Sequence, residues 1–195
     1  MSALATPVRQ SDAFDELAID DARQLRNAFG SFATGVAIVT ALSAGERIGA
    51  TVSSFNSVSL APPLVSFSIA RNAKAFQAWE SAPTFGVSIL STAQADLSTR
   101  FARSLGDKWT GVSLLPASRI DAPLVDGALM WFECEAYGRH DGGDHLILIG
   151  RVLAARRNCS ANPAPLVFFG GAYRHLAPPR GSEFLTQDAM WLHGW

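Results

Sequence analysis

Residues Ala128 to Arg157 read ALMWFECEAYGRHDGGDHLILIGRVLAARR, two runs rich in aromatic and aliphatic residues on either side of His140-Asp141-Gly142-Gly143-Asp144. Each run, Ala128 to Gly138 and His145 to Arg157, is long enough for an extended strand. A Gly-Gly pair flanked by aspartates is hairpin punctuation, so the two strands are expected to lie antiparallel. Upstream the same pattern recurs in shorter form, at Val36 to Ala41, Ile48 to Val52, Leu64 to Ala70 and Thr84 to Leu90, and downstream at Pro165 to Phe169, which runs into Gly170-Gly171. Ser43-Ala44-Gly45-Glu46 links the first two as a hairpin.

Helical patterns are few. Asp20 or Asp21 caps a helix with Leu25, Phe29 and Phe32 as its apolar stripe, expected to end near Gly35. Ala73 to Ser81 reads as a helical turn or two. Ser91-Thr92-Ala93-Gln94 offers a capping box before a stripe of Ala93, Leu97, Phe101 and Leu105. About seven short strands with few helical crossovers predict a mainly β fold, an antiparallel closed or half-closed barrel with helices on its outside. One domain over residues 20–176 is expected, with a flexible tail at 1–19. The end, 177–195, carries Phe184, Leu185, Met190, Trp191, Leu192 and Trp195, apolar enough to expect docking on a partner subunit.

Sixteen basic residues against seventeen acidic ones, with no basic cluster longer than Arg156-Arg157, argue against nucleic acid. No apolar stretch approaches the ~20 residues of a membrane helix and the start lacks a signal-peptide pattern, so a cytoplasmic protein is expected. Cys134 and Cys159, the only cysteines, suggest no disulfide framework. The dinucleotide glycine fingerprint, the phosphate loop, the HExxH helix and the GxSxG elbow are all missing from the sequence. No metal is expected, because His140 and His145 lie five apart across a turn, far from either cysteine. Asp141 and Asp144 suit turn chemistry as well as they suit catalysis.

What remains is a dense hydroxyl segment, Gly49-Ala50-Thr51-Val52-Ser53-Ser54-Phe55-Asn56-Ser57-Val58-Ser59-Leu60-Ala61-Pro62-Pro63-Leu64-Val65, read as leaving one strand, crossing a polar stretch and re-entering a strand after the two prolines. It is either a loop capping the barrel or a wall whose small O–H and N–H donors meet a flat polar ligand. Taken alone, His145 is a solvated turn histidine or a ligand contact.

Here the chain resembles the flavin reductase-like family, the reductase components of two-component flavin-dependent monooxygenases, built on an FMN-binding split barrel. The resemblance rests on Phe32-Ala33-Thr34-Gly35-Val36-Ala37-Ile38-Val39-Thr40, the run TVSSFNSVSLAPPLVSFSI from Thr51 to Ile69, and Phe85-Gly86-Val87-Ser88-Ile89-Leu90. It continues through Leu97-Ser98-Thr99-Arg100-Phe101-Ala102, Gly143-Asp144-His145, and Pro165-Leu166-Val167-Phe168-Phe169 to Tyr173-Arg174. It covers about residues 22–176.

The resemblance implies a homodimer that reduces FMN or FAD with NADH or NADPH and passes reduced flavin to a separate monooxygenase. Thr51, Val52, Ser53 and Ser57 match the segment along the isoalloxazine ring, with Ser54 and Ser68 counted beside them. Ala70 to Lys74 match the approach to the flavin phosphate, and Thr34, Arg100, Phe101 and Tyr173 match positions near the flavin. Gly143, Asp144 and His145 match the motif where nicotinamide enters, with His145 as the catalytic position. Relatives commonly carry a serine or threonine in the phosphate stretch, whereas this chain has Ala73 and Ala75, leaving Arg71, Lys74 and backbone N–H groups for the task. Trp79, Trp109 and Trp131 suit core or dimer interface better than a ligand. The alternatives are a flavin-holding carrier or sensor with no nicotinamide site, and a barrel for some other small ligand.

Overall fold

The computed structural model describes residues 14–159 and 164–177. Residues 178–195 and the docking expected of them lie outside the described residues, as does most of the N-terminal tail. The described chain opens with α1 (Ala22–Phe29) and β1 (Thr34–Gly35), followed by β2 (Ala37–Ser43), β3 (Glu46–Val52), β4 (Asn56–Leu60) and β5 (Pro63–Ala70). Then come α2 (Phe76–Ser81), β6 (Thr84–Ile89), a 3-10 turn at Thr92–Gln94 and α3 (Ala95–Ala102). The short β7 (Leu114–Leu115) and β8 (Leu124–Val125) precede the long β9 (Met130–Gly142) and β10 (His145–Arg157), and β11 (Val167–Phe169) and β12 (Ala172–Arg174) follow.

Seven strands form one antiparallel sheet in the order β3-β2-β6-β9-β10-β5-β4. Its hydrogen-bond ladder ends at β3 and β4 and does not close into a ring. Even so, Val52 of β3 and Val65 and Phe67 of β5 share one apolar core with Val39, Phe85 and Leu148. The sheet is therefore wrapped around a single interior and left open along a seam, as the strand pattern predicted. Phe67, fully buried, meets the edges of Phe85 at 5.0 Å and of Trp79 at 5.8 Å between ring centroids. Burial and the neighbouring Glu133 carboxylate push the Cys134 thiol in this core up to about 12, so it is inert packing.

Successive strand side chains face opposite ways, and β2 is buried on both. Ala37, Val39 and Ala41 enter the barrel core, while Ile38 and the preceding Val36 enter a second cluster with Leu90, Phe101 and Leu166. That second cluster is where α3 packs on the sheet. The two-residue turns follow the expected chemistry. Ala44 and Gly45 both have positive φ, at 49° and 80°, in the β2–β3 hairpin, and Gly143 takes φ 72° at the first loop position between β9 and β10. Gly150 in β10 answers a close approach: a Cβ there would lie 2.4 Å from the Phe85 ring, and the β9–β10 register shifts beside it.

Four expectations need correction. The β9 strand runs on through His140 and Asp141 to Gly142, so the loop shrinks to Gly143 and Asp144. The hydroxyl segment is not one loop, since Asn56–Leu60 pair with β5 as an edge strand, β4, where polar residues face solvent without penalty. The helix capped by Asp21 stops at Phe29 and buries none of its residues, Gly30 N–H closing the turn on the Arg26 carbonyl at 2.9 Å. The α3 face turned inward is Gln94, Ser98 and Phe101, because a strict four-residue period drifts off a 3.6-residue helix; Leu105 lies beyond the helix end, exposed.

Candidate functional site

Along the seam lies an open cleft of about 870 Å³, a size suited to a drug-sized or larger ligand. One wall is β3 and the residues after it, Gly49 to Ser54, and the facing wall is the end of β5 with Asn72 to Ala75 and part of α2. Residues 101–109, from α3 into the following loop, form a third side, and His145 stands at the hairpin end. Backbone comes close here. A Cβ on Gly49 would lie 2.6 Å from the Phe101 ring and 3.1 Å from Trp109. Trp109 packs edge-on against Phe101 at 4.9 Å and carries the Arg47 guanidinium over its own ring.

Hydroxyls hold this wall in shape. Thr51 donates through Oγ1 to the Ser98 carbonyl at 2.7 Å, tying β3 to α3. Ser54 Oγ accepts from the Ser68 N–H at 2.9 Å and so bridges the seam. Ser53 is exposed in the cleft with its side chain uncommitted among the described residues.

At the hairpin, the Asp144 carboxylate lies 2.7 Å from His145 Nδ1. That hydrogen bond, aided by the charge of the ring, holds the Asp144 carboxyl below its usual range. An ionised Asp144 is an acceptor only, so it faces an N–H at Nδ1 and fixes the ring with Nε2 on the far side. A second hollow of about 360 Å³ shares Ala70, Asn72 and His145 with the cleft and adds Arg26 from α1.

The structure brings Thr51, Val52, Ser53, Ser54, Ser68, Ala70, Lys74, Phe101 and His145 to one cleft. It does not bring the others. Ser57 is exposed on β4. Arg100 points away and donates to the Thr110 carbonyl at 2.9 Å. Tyr173 donates to Ser98 Oγ at 2.7 Å from within the second cluster, and Thr34 pairs with Phe168 on β11 with its Oγ1 buried and unpartnered. Arg71, a supposed phosphate ligand, is spent on the hairpin. It pairs with the Asp141 carboxylate, donates through Nε to the Gly143 carbonyl at 2.9 Å, and its N–H reaches the Asp144 carbonyl at 2.8 Å. Arg139, another cation near the mouth, is tied to the Ala82 carbonyl at 2.6 Å. Trp79 and Trp131 are core. Sequence reasoning weighed Trp109 but missed Lys108, Arg26 and the rest of the 103–108 wall, for which Gly106-Asp107 as turn punctuation was the one available sign.

The model of the flavin reductase like domain matches residues 29–177, most of the chain. The chain belongs to the flavin reductase like family. It is 33% identical over 171 residues to the reductase subunit HsaB of a flavin-dependent monooxygenase from Mycobacterium tuberculosis, covering 88% of each chain. It is 40% identical over 154 residues to the FMN reductase (NADH) SmoA of Agrobacterium fabrum, covering 79% of this chain and 86% of that one. Among solved structures, the NADH:FAD oxidoreductase SgcE6 of Streptomyces globisporus, in complex with NAD and FAD fragments, superposes with a TM-score of 0.79 at 36% identity. The match covers 85% of this chain and 98% of that one. In this flavin reductase the cleft, the hydroxyl wall and the Asp144–His145 pair thus sit on a fold whose relatives handle flavin and nicotinamide.

Proposed function

We propose that this chain is an NADH-dependent flavin reductase whose cleft takes FMN or FAD and whose reduced flavin goes to a separate monooxygenase component. The observation that carries the reading is the meeting of the Thr51–Ser54 wall and the His145 hairpin at one cleft. The residues present fit a flavin: small hydroxyl side chains let a planar ring approach the backbone, and Phe101 and Trp109 supply an apolar side. Lys74 and the backbone N–H groups of Asn72, Lys74 and Ala75 remain for the phosphate, with Arg71 committed to the hairpin and the Ala73 N–H to the Ala70 carbonyl at 3.0 Å.

Bound there, flavin accepts hydride and reduced nicotinamide supplies it, chemistry that belongs to the cofactors. The protein's work is to position both rings. Asp144 fixes the imidazole, and His145 would meet the nicotinamide carboxamide through Nε2. Arg26, at the second hollow, would offer a cation to the dinucleotide's phosphates.

Purified protein supplied with FMN or FAD should oxidise NADH; no oxidation above background with either flavin and either nicotinamide removes the reading. His145→Ala should lower kcat/KM for NADH about tenfold, the loss of one hydrogen bond to a bound ligand, with flavin affinity unchanged. Wild-type NADH kinetics in that variant would favour a flavin carrier that lacks a nicotinamide site.

The same reading makes the enzyme a homodimer. Phe29 on α1 is 69% exposed and Phe32 just after it 76%. The Gly30 carbonyl accepts from Gly170 N–H at 2.8 Å, setting both beside the β11–β12 turn, where Phe169 is also exposed. A second copy would cover such an apolar patch. Light scattering should return twice the chain mass, and a monomer would refute the dimer.

A further inference from the structure

Lys108 lines the cleft and is half buried. Its Nζ donates to the Gly49 carbonyl at 3.0 Å and to the Phe101 carbonyl at 2.9 Å, which pins the ammonium between β3 and α3. An ammonium has three N–H donors, so one is left. Lys108 forms no ion pair among the described residues. The adjacent Asp107 is committed to the N–H groups of Trp109 and Thr110, at 2.8 and 3.2 Å. Burial pulls the lysine's pKa below the usual range, the mark of a charge that has lost water without gaining a counter-ion. A half-buried cation held by two neutral carbonyls is poorly compensated unless an anion arrives.

The reaction makes one. Hydride leaves C4 of NADH with both electrons of the C–H bond and joins flavin N5; NADH becomes NAD⁺, and neutral oxidised flavin becomes reduced flavin with one negative charge. No other proton or electron carrier is needed to balance the step. We propose that Lys108 is the cleft's counter-ion for that charge, so that the site favours anionic reduced flavin over oxidised flavin. The inference rests on the cleft being the flavin site. Lys74 differs in its surroundings: it lies on the β5–α2 connection with its side chain exposed and no protein partner among the described residues, as suits a phosphate.

The test is a pair of binding titrations, with oxidised and with dithionite-reduced flavin, on the wild-type protein, Lys108→Gln and Lys108→Arg. Glutamine keeps donors for the two carbonyls and removes the charge; arginine keeps the charge. Lys108→Gln should weaken binding of reduced flavin about tenfold, the scale of one hydrogen bond to a charged group, and that of oxidised flavin far less. Lys108→Arg should restore most of the preference. Riboflavin and FMN are run side by side. An effect seen with both supports the counter-ion to the ring; an effect confined to FMN assigns the lysine to phosphate and overturns the proposal. Equal losses in both redox states, or none, overturn it as well. Ser53→Trp serves as the control: if it leaves flavin affinity intact, the cleft is not the flavin site, a separate failure.

Discussion

Ser53→Trp should raise the dissociation constant for FMN or FAD by ~100-fold or more, equivalent to about 2.7 kcal/mol, and bring NADH oxidation down to background. The expectation follows from where Ser53 sits. It is exposed on the cleft wall, it carries no hydrogen bond that holds the fold, and its neighbours Thr51 and Ser54 supply the ties to α3 and β5. An indole there occupies the space a planar ring needs without entering the core. Quenching of flavin fluorescence on titration measures the affinity, and an unchanged circular dichroism spectrum shows that the fold survives. Flavin bound at wild-type affinity would move the site elsewhere on the protein.

Phe67→Ala should destabilise the protein by about 3–5 kcal/mol, the range for deleting a fully buried aromatic. Phe67 is central to the barrel core, edge-on to both Phe85 and Trp79, so its loss opens a void bordered by rigid rings and two strands that cannot collapse into it. The expected result is a fall in Tm on the order of 10 °C for a chain of this length, read by calorimetry or in a urea titration. A fall of a degree or two would mean that the wrapped sheet repacks easily and that β5 is not its keystone. Because β5 also carries Ser68 and Ala70 into the cleft, flavin affinity should decline with the core.

How much of this was legible follows from which interactions are local. The β2–β3 and β9–β10 hairpins were legible because Ala44-Gly45 and Gly143 announce turns whose geometry the glycines need. The Asp21 cap was equally plain, its carboxylate accepting from the N–H groups of Arg23 and Gln24. The β4 strand was not, because Asn56, Ser57 and Ser59 have loop composition and become a strand only through pairing with β5. Arg71 looked like a phosphate ligand beside a loop; its partners Asp141 and Gly143 lie some seventy residues away in the chain, and folding alone joins them. Lys108 gave no signal for the same reason, since Gly49 is 59 residues distant. Tyr173, Arg100 and Thr34 have the right residue types in the right order, yet their side chains are turned to the second cluster, to a loop carbonyl and to a buried strand edge.

Arg71 also makes one lever of the two hollows. Its backbone continues β5 into the Asn72–Ala75 wall of the cleft, and its side chain grips the hairpin that carries Asp144 and His145. Three bonds of this one residue therefore join the two hollows. On the proposed function, a ligand in the cleft and one beside His145 would be linked through Arg71, and any coupling would be reciprocal, each changing the other's affinity by the same factor. Flavin and dinucleotide, bound as proposed, would share one residue's hold on both hollows.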